Sequence, residues 1–421
     1  MWAPPGLEVY LLVVALLLLL AVGGGAGRIR RAVVCDAGAP AAASRWDAGN
    51  CLLGAREKVW LEDARSGRPL PGDQTGLCDP ATPGALTCEA RAALWNAPHV
   101  LLKPQSMTSS TLVAVPTLVV FLPGTGTSPA AYGRLLAAAQ RAGHYVVGLS
   151  YLSQPVAVSQ FNAWCGAGLE PRSGAGCNAR AHASMLFGVE NVIDFVPSYL
   201  LNASDGLQED GLWDVSASDY CVEALLKSAL SSVEWGGLFL RENGENVTWD
   251  KVIVSGHSQG AGHAAFWAQS RPVLGAALLS GPQDTVRDAL PWLHSLPASN
   301  DTWWRVLLSA HEECGPLPLD PRSFCEPNGL IRNLAARRIV PSVSVSNWTG
   351  TGGAKFEGPG GSGVVVSFAK PSAKCTQGRK YHCSVALDWC APLKTTDIEL
   401  LWEDMFALVT AEYKQLERTS V

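Results

Sequence analysis

Ser258 lies in Gly256-His257-Ser258-Gln259-Gly260, directly after the apolar run Val252-Ile253-Val254 and before the small-residue stretch Ala261 to Ala265. Strand, Gly-x-Ser-x-Gly and helix in that order place a serine on a strained turn. A side chain two positions to either side would collide with the neighbouring strand and helix, which is why glycines stand there. The turn lifts the hydroxyl clear of the backbone, where a histidine reaches it, and aims backbone N–H groups at the same point. Five matching residues arise by chance in a glycine-rich chain, but here the flanks agree on both sides.

A serine hydroxyl is a poor nucleophile near neutral pH, so it needs a base, an orienting acid and an oxyanion hole. On a strand–turn–helix scaffold of this kind the chain order is serine, acid, histidine. The eight histidines are His99, His144, His182, His257, His263, His294, His311 and His382. Only His382 follows the last expected core strand, Val364 to Phe368, and Cys375 and Cys383 flank it and are expected to pin its loop. His257, inside the serine motif, reads as a packing residue. The acid has three candidates. Glu312 and Glu313 follow the expected strand Arg305 to Leu308, and Asp284 follows the strand Leu274 to Leu279. His311-Glu312 is half of a zinc-protease pattern, but no second histidine follows at the required spacing. One oxyanion N–H is expected from Gln259 and the second from Thr125 or Gly126. These two close the run Val119 to Thr127, a buried strand entering a glycine turn.

These groups require a rigid frame, and the texture from Thr111 onward supplies one. Leu112 to Leu122 holds two β-rich runs broken at Pro116, Ala130 to Ala142 has helical spacing, and Tyr145 to Leu149 is a buried strand. Helical stretches from Arg180 to Leu200 fall within a looser segment, residues 150–211, expected to be an insert or lid. Ser216 to Ser232 reads as a helix capped by Ser216 or Ser218. Leu330 to Arg338 and Thr395 to Leu416 read as further helices. Strands alternating with helices predict an α/β fold, a mostly parallel sheet with helices on both faces. Residues 28–110, with four cysteines, read as an extension packed on the core, contributing edge strands near Lys58 to Leu61 and Val100 to Lys103.

The bulk numbers limit partners and compartment. With 48% hydrophobic residues, 16% charged residues and a net charge of −5, the chain has a substantial core and no basic footprint for nucleic acid. Val9 to Val22 is an almost unbroken apolar run of 14 residues, short for a membrane core of about 30 Å. Small residues from Gly23 to Gly27 follow it, so residues 1–27 read as a cleaved leader. Glu8 before the run and Arg28, Arg30 and Arg31 after it leave an uncleaved anchor as the alternative. Twelve cysteines, none in C-x-x-C spacing, predict disulfides in an oxidising compartment rather than zinc. Local pairings of Cys78 with Cys88, Cys165 with Cys177 and Cys314 with Cys325 are expected. Four glycosylation sequons, at Asn202, Asn246, Asn300 and Asn347, are expected on surface loops.

From about Leu112 to Phe406 the chain resembles secreted members of the α/β-hydrolase superfamily. The stretches FLPGTGTSP and IVSGHSQGAGHAA are similar to a little-characterised branch distantly related to cutinases and lipases. The resemblance implies an eight-stranded, mostly parallel sheet and ester hydrolysis through an acyl-enzyme, with Ser258 as nucleophile, His382 as base and no cofactor. It also implies an aspartate where Glu312-Glu313 stands, so the acid stays open. The expected partner is a small-molecule or lipid-like ester, with membrane contact only through an uncleaved N-terminal segment. Two rivals stay open: an acyltransferase or serine peptidase on the same triad, and an extracellular binding protein on a hydrolase scaffold, to which the 15 tryptophans would contribute.

Overall fold

Leu118–Leu122 (β3), Val252–His257 (β5), Gly275–Leu279 (β6), Trp303–Ser309 (β7) and Gly363–Ser367 (β9) are buried at every position in the computed structural model of the chain. Strands with both faces buried belong inside a parallel sheet covered on two sides. The structure describes residues 56–57, 99–104, 115–151, 153, 171–188, 191–196, 221–241, 244, 246–282, 302–311, 345–348, 356, 363–375, 380–392 and 395–407. The chain divides after Arg31, and every described residue belongs to the second unit, Ala32–Val421.

Arg56–Glu57 (β1), Val100–Leu102 (β2), Tyr145–Gly148 (β4) and Val345–Trp348 (β8) complete one nine-stranded sheet, ordered β1-β2-β4-β3-β5-β6-β7-β9-β8. The pairings β1–β2 and β2–β4 are antiparallel and all the others are parallel. The antiparallel second strand, the reversal around β3 and β4 and the serine turn after β5 make this an α/β-hydrolase fold. It has one strand more than the expected eight. β8 was not anticipated: Val345-Ser346-Asn347-Trp348 is short and half polar, and takes the outer edge beside β9.

The described helices cover both faces. They are Gly133–Arg141 (α1), Pro171–Phe187 (α2), Val192–Phe195 (α3), Val222–Ser231 (α4), Gln259–Ser270 (α5), Lys380–Ser384 (α6) and Thr395–Phe406 (α7). Alternation along β3 divides the core. Leu118, Val120 and Leu122 face a layer containing Ala183, Leu226 and Trp267, whereas Val119 and Phe121 face one containing Leu135, Leu401 and Trp402. At the end of α7, Arg305 Nη1 donates to the carbonyls of Asp404, Met405 and Ala407, and His144 Nε2 lies 2.7 Å from that of Phe406. A guanidinium and an imidazole thus satisfy carbonyls that a helix end leaves without intrahelical partners.

Several expectations shift. α4 begins at Val222 with Cys221 at its N-cap, not at Ser216 or Ser218, which lie outside the described residues. The edge strand near Lys58 falls at Arg56–Glu57. Asn246 is exposed on a bend, but Asn347 lies within β8 rather than a loop. The leader, the predicted helix Leu330 to Arg338 and sequons Asn202 and Asn300 lie outside the described residues, and so does at least one cysteine of each of the three local pairings. Among the described residues no helix is long and apolar enough to cross a membrane.

Candidate active site

Ser258 stands between β5 and α5 with φ 56° and ψ −119°, a conformation that side chains other than hydrogen rarely adopt. The glycines around it are sterically required. A Cβ on Gly256 would come within 2.2 Å of the Gly260 carbonyl oxygen, and one on Gly260 within 2.0 Å of the Leu122 carbonyl oxygen. Backbone bonds hold the turn: Ser258 N–H donates to Leu279 O at 2.9 Å, and Ser258 O accepts from Ala261 N at 3.0 Å. The serine is partly exposed while Gln259, the first residue of α5, is buried. The start of a twelve-residue helix directs its open N–H groups and positive end toward this place.

The loop after β3 comes to the same place. Thr125 Oγ1 donates to Gln259 Oε1 at 2.7 Å, so the two residues expected to supply oxyanion donors are tied through their side chains. Gly126 N–H donates to Ser153 Oγ at 3.0 Å. Thr127 N–H and Oγ1–H both donate to Gly124 O, at 3.1 Å and 2.7 Å, closing the turn. Tyr151 Oη donates to Pro123 O at 2.8 Å.

His382 is buried on α6, a short helix after β9 rather than a loop. Its carbonyl lies 3.0 Å from His257 Nε2 and 3.2 Å from Ser280 Oγ, and its ring centroid is 4.7 Å from that of His257. His257 is more than packing, since its other nitrogen, Nδ1, lies 3.0 Å from Tyr132 Oη. A carbonyl only accepts, so His257 carries its proton on Nε2 and Nδ1 accepts from Tyr132. Tyr132 Oη in turn accepts from Gly124 N–H at 3.0 Å. Burial raises the Tyr132 pKa, keeping that hydroxyl a neutral donor. One chain of hydrogen bonds therefore runs from the loop after β3, through Tyr132 and His257, to the backbone of His382.

Two further features fix the His382 segment. Cys375 pairs with Cys390 across 15 residues, enclosing the histidine in a covalent ring; Cys383, expected to share in the pinning, is buried next to it and is not part of that bridge. Ser280, at φ 45°, makes a second tight turn beside Ser258, its N–H donating to Leu307 O at 2.9 Å. Thr125 and Gln259 thus meet, and the His382 segment lies against His257, the residue before Ser258, at the carboxyl end of β5, where open α/β sheets bind ligands. Glu312, Glu313 and Asp284 lie outside the described residues. His311 is exposed, with its ring 4.9 Å from that of Tyr381. Tyr132 and Ser280 carry no signal in the sequence, whereas the position of His257 beside the serine was a clue to its role.

No family model matches the sequence, and no curated protein matches it. Among solved structures the chain is similar to esterase 2 of Thermogutta terrifontis, at 10% identity and TM-score 0.34, covering 76% of this chain and 89% of that one. It is also similar to a dienelactone hydrolase from Anabaena variabilis, at 13% identity and TM-score 0.31, covering 73% and 90%. A third is acetyl xylan esterase from Aspergillus awamori, at 11% identity and TM-score 0.29, covering 57% and 75%.

Proposed function

We propose that the protein is a serine hydrolase that cleaves carboxylic esters through an acyl-enzyme. The observation that carries this reading is Ser258 on its positive-φ turn at the head of α5, with the His382 segment fastened beside it by His257 and Ser280. His382 takes the Ser258 hydroxyl proton as Oγ bonds to the ester carbonyl carbon, and the carbonyl oxygen becomes an oxyanion. The N–H groups of Gln259 and Thr125 face that oxygen, and Thr125 is preferred to Gly126, whose N–H donates to Ser153. Collapse breaks the bond to the leaving alcohol, which takes the proton from His382. Water, deprotonated by the same histidine, then bonds to the acyl carbon; the acyl–Oγ bond breaks, Ser258 Oγ takes the proton from His382, and the acid is released. A carboxylate from Glu312, Glu313 or Asp284 holds the imidazole tautomer. The residues 1–27 leader and the twelve cysteines support a secretory-pathway address, with a membrane anchor through residues 9–22 as its variant.

The test is fluorophosphonate labelling of wild type and Ser258→Ala, with turnover of p-nitrophenyl acetate, butyrate and palmitate in parallel. Labelling and turnover that both vanish in the variant, the latter by about 10⁴-fold or more, are the expected result. Labelling without ester turnover redirects the same triad to acyl transfer or peptide cleavage. A folded wild type that does not label overturns the catalytic reading in favour of a binding protein.

A further inference from the structure

We infer that His182, on α2 of the segment between β4 and β5, is a positioning residue for the oxyanion hole, acting through His263 and Gln259. The inference rests on the Ser258 reading above.

The hydrogen bonds form one directed chain. Thr125 Oγ1 donates to Gln259 Oε1 at 2.7 Å, Gln259 Nε2 lies 3.2 Å from His263 Nε2, and His263 Nδ1 lies 2.9 Å from His182 Nδ1. With its amide oxygen turned to Thr125, Gln259 presents its NH₂, which only donates, so His263 Nε2 must be bare. A neutral imidazole then carries its proton on Nδ1 and donates it to His182, whose Nδ1 must be bare in turn. These three contacts are satisfied together in this arrangement of protons. His263 is held well below the usual imidazole range, first by burial and then by His182. A proton added to His263 Nε2 would point at the Gln259 amide hydrogens and break the chain at its second link.

Packing fixes the rings as firmly as the bonds do. His182 stacks on Phe266 at 5.4 Å, and Tyr151 meets His263 edge-on at 5.7 Å. Tyr151 also bonds Pro123 O, two residues before Thr125, so the same cluster grips the loop after β3 at a second point. His182 and His263 are fully buried. An apolar pair would fill this space without desolvating imidazoles, whereas the polar pair sets the rotation of the Gln259 amide and hence its hold on Thr125. A shift of α2 is thereby felt at the oxyanion donors.

The experiment compares wild type, His182→Phe, which keeps a ring but no acceptor, and His182→Asn, which keeps an acceptor near the Nδ1 position. Kinetics on p-nitrophenyl butyrate are run beside fluorophosphonate labelling. His182→Phe is expected to lower kcat roughly tenfold, less than loss of an oxyanion donor itself, with KM changed less than about twofold. His182→Asn recovers most of that loss. Nitrogen-15 NMR of histidine-labelled wild type shows His263 as the Nδ1–H tautomer. Wild-type kcat in His182→Phe, or equal loss in both variants, overturns the inference while Ser258-dependent labelling stands. If His182→Phe does not fold, an Nε2–H tautomer at His263 overturns it. A wild type that does not label overturns both readings together.

Discussion

Gly260→Ala tests the geometry of the serine turn against a distance. The added Cβ would lie 2.0 Å from Leu122 O, 2.6 Å from Leu122 C and 2.7 Å from Pro123 O, whereas Cβ contacts below 3.0 Å essentially never occur. Backbone must therefore yield by about 1 Å, and no flexible side chain is present to absorb it. The atoms struck lead straight into Gly124 and Thr125, while the residue that strikes them follows Gln259. Either the start of α5 lifts or the loop after β3 retreats, and both movements open the gap between Gln259 and Thr125. Overpacking of this kind costs about 1–3 kcal/mol of stability. A misplacement of about 1 Å at a reacting centre costs about 100-fold in rate, equivalent to about 2.7 kcal/mol. Gly237→Ala is the control, because its Cβ would meet nothing within 4 Å. The assay is the second-order rate of fluorophosphonate labelling, with thermal unfolding to confirm that each variant is folded. Gly260→Ala should label about 100 times more slowly at a temperature where it remains native, and Gly237→Ala at the wild-type rate. A Gly260→Ala protein that labels and melts like wild type would refute the steric account of the turn.

Two further outcomes follow from buried polar groups. Tyr132→Phe deletes the acceptor of Gly124 N–H and the donor to His257 Nδ1, so denaturant unfolding should show a loss of about 2 kcal/mol together with a lower kcat. A midpoint unchanged from wild type would contradict the chain drawn from the loop to His382. Burial pushes His144 down to about 4, so between its ordinary value near 6.5 and that figure the unfolded chain binds a proton that the folded chain refuses. Stability should accordingly fall as pH drops through this window, by up to about 3 kcal/mol from His144. Urea unfolding at pH 7 and pH 4.5 should show a shallower loss in His144→Asn, and equal losses in the two proteins would count against the assignment.

What the sequence conveyed and what it hid separate along physical lines. The central strands were legible because Val119 to Leu122, Val252 to Val254 and Val364 to Val366 are apolar on both faces, as only interior parallel strands require. The serine turn was legible because its glycines answer to local clashes. β8 was hidden because a polar four-residue edge strand has no such pattern. The start of α4 was misplaced because serines at 216 and 218 look like caps, yet the N-cap is Cys221, a residue type that gives no such signal. The contacts of Tyr132, Ser280 and the His182–His263 pair were hidden for another reason. They span 125, 102 and 81 residues, and no local period encodes a partner that distant.

The order in which the last strands are laid down decides where the sheet can open. The chain leaves β7, places β8 at the rim, and only then returns to fill the gap with β9. The strand leading to His382 is thus hydrogen-bonded along both sides, to β7 and to β8. Fraying and strand exchange begin at an unpaired rim. Among the described strands the edge on this side is the four-residue β8, whose loss would leave β9 still paired with β7. Amide exchange at Val345–Trp348 can therefore be fast without the His382 segment losing its support, and β9 opens only in the deeper unfolding event that also releases β7.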